Sequence, residues 1–325
     1  MPYPPPVSIR IRCWRGGTIE ESTDVDQLGR LVAGKDSATW IDLTNPKPEL
    51  VRAVARRLGL HPLLADDIVE HNERAKIQLV GEVIHVVAFV LERETTIEAH
   101  EIDFVLGQGF LLSVHGSEWD PTVAHQVRMG LEPLLSKGPD LLLWAFIDSI
   151  VDGYFPVFDQ LGDEIDEVED AALSKTVPAT LQHIFRLKRE LLRIRHALSP
   201  SREVFAQLTG REFELIREEH VFYFRDVYDH LIRLNDELDS FRELVAGALE
   251  VYLSSINNNL SAIMKRLTGV TVILAGIGAV GGLFGMSEAG SALTGGEGSG
   301  FYVILAGTIL AAIAAVFVLR RIDWI

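Results

Sequence analysis

Two uncharged stretches near the C-terminal end constrain this chain more than any other feature. Leu267–Ser287 carries no charged residue over 21 positions, and Phe301–Leu319 none over 19. A bilayer core about 30 Å thick is crossed by about 20 helical residues, so both stretches are predicted to span a membrane. No uncharged run before residue 266 comes near that length. Lys265 and Arg266 precede the first stretch and Arg320 and Arg321 follow the second, while the connection Phe284–Gly300 holds Glu288 and Glu297 but no basic residue. Basic flanks stay on the cytoplasmic side, which predicts an inner or plasma membrane protein with an outside loop and both termini in the cytoplasm. Trp324 fits the interfacial aromatic pattern. The start, MPYPPPVSIR, has no apolar core behind a basic region, so no signal peptide is expected.

Charge and cysteine content narrow the chemistry of the remainder. A net charge of −16 argues against nucleic acid as a partner, since phosphate binding needs concentrated Lys and Arg. The single cysteine, Cys13, excludes an internal disulfide framework and a Cys-based zinc site. No nucleophile–base constellation or phosphate loop appears, so the chain is not expected to be an enzyme. The ten histidines are scattered, and each is read as structural or solvated.

Along the chain, residues 1–120 read as a cytoplasmic α/β domain. VSIRIRCW, ATWIDL, IHVVAFVL and IDFVLGQGFLLSVHG have strand character, the last as a hairpin turning near Gly107-Gln108-Gly109, with PELVRAVARRLGL and LLADDIVEH helical between them. Residues 121–210 read as a helical hairpin region. Its first arm carries nine carboxylates between Asp148 and Asp170, expected on a solvated face, and a basic second arm follows a joint near Val177-Pro178. From Arg211 nothing breaks a helix, which predicts a stalk over 211–266 running into a first span over 267–286. At 1.5 Å per residue this rod is about 100 Å long, and such a helix implies a bundle. The loop 287–300, the second span 301–319 and a basic tail 320–325 complete the order.

Within the first span, GIGAVG (Gly276, Gly278, Gly281) imitates a dinucleotide-binding fingerprint, which requires a preceding strand and a soluble βαβ unit. A transmembrane position favours close helix packing through Gly278 and Gly282, or room for a channel. Glu250, Leu253, Asn257, Ser261, Met264, Leu267, Thr271, Ala275, Gly278 and Gly282 follow one another in steps of 3 or 4, so they share one helix face. Several copies around an axis would make Glu250 a carboxylate ring and Met264 with Leu267 an apolar constriction, the parts with which cation channels select and gate. A coiled-coil seam with occasional polar residues has the same periodicity.

The run YFRDVYDHLIRLNDELDSFRELVAGALEVYLSSINNNLSAIMKRLT (Tyr223–Thr268), followed by FGMS, a short loop, a second span and a basic-aromatic end, resembles the CorA family of divalent-cation channels. HPLLADDIVEHNERAKI and FIDSIVDGYFPVFDQLGDEIDEVED are similar to it as well. The resemblance implies an α/β/α cytoplasmic domain, a long stalk helix, two transmembrane helices and a homopentameric funnel in the lipid bilayer. It implies transport of Mg2+, with Co2+ or Ni2+. Its outer pore signature, Gly-Met-Asn, falls on Gly285, Met286 and Ser287. Its cytoplasmic-end acidic pore position falls on Glu250, and its hydrophobic gate on Leu253, Met264 and Leu267. Its regulatory intracellular metal site, which holds the channel closed, places an acidic residue at Asp226, with a partner from the neighbouring subunit.

The chain departs from that pattern at three places. Ser287 replaces the signature Asn, Ser261 stands where a pore Asn is usual, and Ala275-Gly276 replace a bulkier residue and a proline. A Zn2+ transporter of the ZntB-like branch, possibly proton-coupled, and a non-conducting metal-sensing membrane protein are the alternative readings.

Overall fold

The computed structural model describes residues 9–34, 37–71, 74–93, 96–174, 177–210, 213–285, 299–321 and 324. Alternating apolar residues in the first 115 positions form a seven-stranded sheet. Its strands are β1 (Arg10–Arg15), β2 (Thr18–Ser22), β3 (Ser37–Thr44), β4 (Lys76–Val80), β5 (Val83–Arg93), β6 (Ile97–Gly107) and β7 (Phe110–His115). They lie in the order β2-β1-β3-β7-β6-β5-β4, and every neighbouring pair is antiparallel except β3 with β7. The β6–β7 hairpin turns between Gly107 and Phe110 as expected, with Gly109 at φ +81, a conformation open to glycine.

Successive side chains point to opposite faces of the sheet, and the central strands β3 and β7 are buried on both. On one, Ile11, Ile41, Leu43, Val105, Leu112 and Val114 pack against α1 (Leu28–Val32), α2 (Pro48–Arg57) and α3 (Pro62–Glu70). On the other, Trp40 and Phe104 meet Phe146, with ring centroids 5.0 and 6.0 Å away. Phe146 belongs to α6 (Pro139–Asp152), reached through two short helices, α4 (His125–Met129) and α5 (Leu131–Lys137). The α/β/α sandwich therefore takes part of its second helical layer from beyond residue 120.

After α6 the chain continues as α7 (Tyr154–Ser174), α8 (Pro178–Leu208), α9 (Val221–Gly285) and α10 (Ser299–Arg321). The acidic arm is two helices divided at Gly153, and it is not uniformly solvated. Asp148 is 8% exposed, and Glu164 on α7 meets Arg93, His183 and Arg186. α8 runs through Pro200 to Leu208, although proline removes one helical hydrogen bond. The Ser201 hydroxyl next to it donates to Ala197 O at 2.9 Å.

The stalk helix begins at Val221 rather than Arg211. Leading into it, Phe213–His220 is not helical, because buried Asp140 competes for its donors. The Asp140 carboxylate accepts from Arg217 N at 3.0 Å and His220 Nδ1 at 2.7 Å.

The chain divides into two compact units. One comprises residues up to Asp170 with Ala179–Gly247, and the other Ala171–Pro178 with Ala248–Ile325. In the second unit, Tyr252 is 3% exposed and its hydroxyl donates to Val177 O at 3.3 Å.

Candidate functional site

Two helices among the described residues contain stretches long and apolar enough to cross a membrane, Pro139–Ser174 and Val221–Leu283. Their burial separates them. The most apolar window of the first is 67% buried and that of the second only 6%, so α6–α7 is core while the end of α9 has little cover among the described residues. The second expected span, 301–319, lies inside α10, which closes on Arg320 and Arg321.

All ten residues of the face from Glu250 to Gly282 fall within the single helix α9, so their spacing does place them on one side. Each is exposed in the isolated chain, with Leu253 at 49%, Met264 at 55% and Leu267 at 60%. The Thr271 hydroxyl donates back to Leu267 O at 2.8 Å, leaving its methyl and both oxygen lone pairs available to the face. A Cβ added at Gly276, Gly278, Gly281 or Gly282 would meet nothing within 4 Å among the described residues. The small-residue packing read from Gly278 and Gly282 therefore has no partner among the described residues. GIGAVG lies wholly within α9 with no strand before it, which removes the dinucleotide reading. Gly285 ends the helix; Met286 and Ser287 lie outside the described residues.

A second constellation sits in the first unit, where α6–α7 and α9 run parallel. Residue numbers rise together along the pair. Trp144 meets Tyr223 at 4.7 Å between rings, Phe155 meets His230 at 5.5 Å, and Phe158 meets Phe241 at 5.9 Å. The Arg233 guanidinium lies 4.7 Å over the Phe155 ring, a cation–π contact. Between these rungs face Asp148 and Asp152 of α6, and Asp226 and His230 of α9. His230 Nδ1 stands 4.0 Å from Asp152 Oδ1. Burial pushes the Asp148 carboxyl up to about 6, and the charges of Asp152 and Asp226 push the same way. Gln126 of α4 donates its Nε2 to Asp148. Gln126 Oε1 and His230 Nδ1 are buried with no hydrogen-bond partner.

Sequence reading singled out only Asp226 of this group. The signal for His230 was present, since Asp-x-x-x-His on a helix puts both side chains on one face. Asp148, 78 positions from Asp226, carried no local sign of its neighbour. Asp226 and Glu250 are both exposed. Among the described residues no three His, Cys, Asp or Glu side chains already stand at metal-binding distance.

A family profile described as "CorA-like Mg2+ transporter protein" matches residues 35–321. The chain belongs to the CorA-like family. It is 32% identical over 276 residues to the cobalt/magnesium transport protein CorA of Thermotoga maritima, covering 82% of this chain and 78% of that one. The zinc transport protein ZntB of Cronobacter sakazakii is 21% identical over 299 residues, covering 90% of each. Among solved structures, the CorA magnesium transporter of Methanocaldococcus jannaschii superposes with a TM-score of 0.82 at 21% identity, covering 98% of both chains. That likeness fixes the fold: an α/β/α domain followed by a long helix and a second apolar helix. CorA-like proteins are membrane transporters of divalent metal ions, not enzymes.

Proposed function

We propose that copies of this CorA-like chain assemble as a homopentamer and pass hydrated Mg2+, and also Co2+ or Ni2+, into the cytoplasm. The observation that carries the reading is the uncovered apolar end of α9, whose exposed face runs from Glu250 to Gly282. Around a shared axis, Glu250 concentrates cations at the cytoplasmic end, and Leu253, Met264 and Leu267 form a constriction that closes by dewetting. Asn257, Ser261 and Thr271 offer oxygens between, and Ala275, Gly278 and Gly282 widen the outer half. Gly285, Met286 and Ser287 form the outer entrance, and the basic flanks put both termini in the cytoplasm.

In the same reading the ion also regulates the channel. Asp148, Asp152 and Asp226 hold three carboxylates near one another, with Gln126 Oε1 and His230 Nδ1 buried and unpartnered beside them. A divalent cation relieves that repulsion and gives those atoms a partner. The spacing exceeds direct ligation, which suits an ion that keeps several waters. Filling the site joins α6 to α9 and holds the channel closed, and lowering the internal ion releases α9.

The test is metal-by-metal flux in proteoliposomes, with and without a proton gradient. Mg2+ flux independent of the gradient is expected. The ZntB relative supports the rival reading, and Zn2+ flux that requires the gradient would establish it instead. No flux of any ion above empty vesicles would leave a metal sensor. Ser287 offers a shorter arm than Asn and a hydroxyl that both donates and accepts, so the entrance ring is wider and weaker per contact. Ser287→Asn is therefore expected to sharpen preference for Mg2+ over Co2+ and Ni2+. Unchanged preference and rate in the same assay would show that the serine does not set selectivity.

A further inference from the structure

Asp140 and His220 lie 80 positions apart, yet they meet where α6 begins and where the chain enters α9. Asp140 is 1% exposed and His220 3% exposed. The carboxylate occupies the first turn of α6, where the helix dipole favours negative charge. Its Oδ2 accepts from His220 Nδ1 at 2.7 Å and from Arg217 N at 3.0 Å. A carboxylate oxygen accepts, so Nδ1 carries the imidazole proton in this contact. The Arg217 side chain reaches the same carboxylate, with Nε 4.0 Å from Oδ1.

The junction is close-packed at Gly138. A Cβ at Gly138 would stand 2.7 Å from both Arg217 Nη2 and Asp140 Oδ1, and Gly138 holds φ +120. These contacts fix where α9 starts relative to α6. From that point the two parallel helices pair in a set order: Trp144 with Tyr223, Asp152 with His230, Phe158 with Phe241. The rungs between are rings and one loose ion pair, which tolerate sliding. The bonds at Asp140 are directional and do not.

We propose that the Asp140–His220 pair is a register clamp, setting the cation concentration at which Asp148, Asp152, Asp226 and His230 respond. This rests on the reading of that cluster as the regulatory cation site. Asp140 and His220 touch no ion; they are positioning residues. With the clamp intact, nearly every molecule presents the facing carboxylates in the binding register. Without it, only a fraction does, and apparent affinity falls by that fraction while the filled state remains reachable.

The experiment follows Mg2+-dependent protection of the full-length protein from limited trypsin digestion in liposomes. Wild type is expected to show a saturable midpoint, and Asp226→Ala to lose protection. His220→Leu is expected to reach full protection at a midpoint about tenfold higher, as loss of a charge-assisted bond implies. His220→Asn places an amide donor near the Nδ1 position, and its midpoint is expected to return to within about twofold of wild type. If His220→Leu does not fold, Asp140→Asn carries the same comparison, since it weakens the clamp without removing the side chain. An unchanged midpoint with only a lowered melting temperature would reduce the pair to a structural contact. A wild-type response in Asp226→Ala would overturn the sensor reading itself, and the clamp's regulatory role with it, so the two failures are read on different variants.

Discussion

Met264→Asp is expected to convert a gated path into a standing leak, raising divalent flux at high internal Mg2+ on the order of tenfold. Met264 is 55% exposed on α9 and shares its face with Leu267, itself 60% exposed. On the proposed pore face, a ring of such side chains excludes water, and a dry constriction stops an ion that cannot shed its shell. A carboxylate in each copy wets the ring and attracts the ion. The variant that separates pore from lipid is Val272→Asp, 60% exposed inside the first expected span, next to Thr271 and rotated by about 100° from it on the helix. A charge facing lipid is costly, so this second change is expected to lower the amount of inserted protein without opening a path. Dye-loaded liposomes give both readings. Leak from Val272→Asp alone would reassign the pore-lining face.

Much of this architecture was legible because it follows from periodicity and length. The strands announce themselves by alternation, and the face from Glu250 to Gly282 needs only one uninterrupted helix to exist, which α9 supplies. Apolar content alone did not separate a span from a core. Pro139–Ser174 also passes the length and composition test; carboxylates from Asp148 onward interrupt its apolar run, and packing, with Phe146 stacked on the sheet, shows where it belongs. The stalk's start was misplaced by ten residues because helix propensity is local, whereas Phe213–His220 is held by a carboxylate from α6. Pairings such as Asp148 with Asp226, or His85 with Asp103, depend on chain segments meeting in the fold. A scattered histidine in the sequence carries no mark of the acid it will face.

That last pair yields the other large expectation, two variants whose stabilities respond to pH in opposite directions. His85 on β5 is 0% exposed and Asp103 on β6 is 2% exposed, with Nε2 and Oδ1 2.7 Å apart. Burial pushes the His85 imidazole down to about 4, with Lys76 adding to the effect. Burial pushes the Asp103 carboxyl up to about 7, against a hydrogen bond from Glu101 that lowers it. Taken alone, a raised Asp103 gives stability that is fully present below pH 3.8 and is lost as pH rises through about 7. A depressed His85 gives stability that is present above pH 6.5 and is lost as pH falls through about 4. Between about pH 4 and 6.5 the two slopes oppose each other. The folded pair holds one proton and the unfolded pair also holds one, so the linkage nearly vanishes. Each single variant removes one side of that balance. His85→Gln leaves the buried acid, and stability should fall as pH rises from about 4 to 7; Asp103→Asn leaves the buried base, and stability should fall as pH drops from 6.5 toward 4. Either slope reaches at most about 1.4 kcal/mol per pH unit. Melting midpoints of the full-length protein from about pH 5 to 8 resolve the crossing. Parallel profiles for the two variants would mean that the buried proton is not shared between β5 and β6.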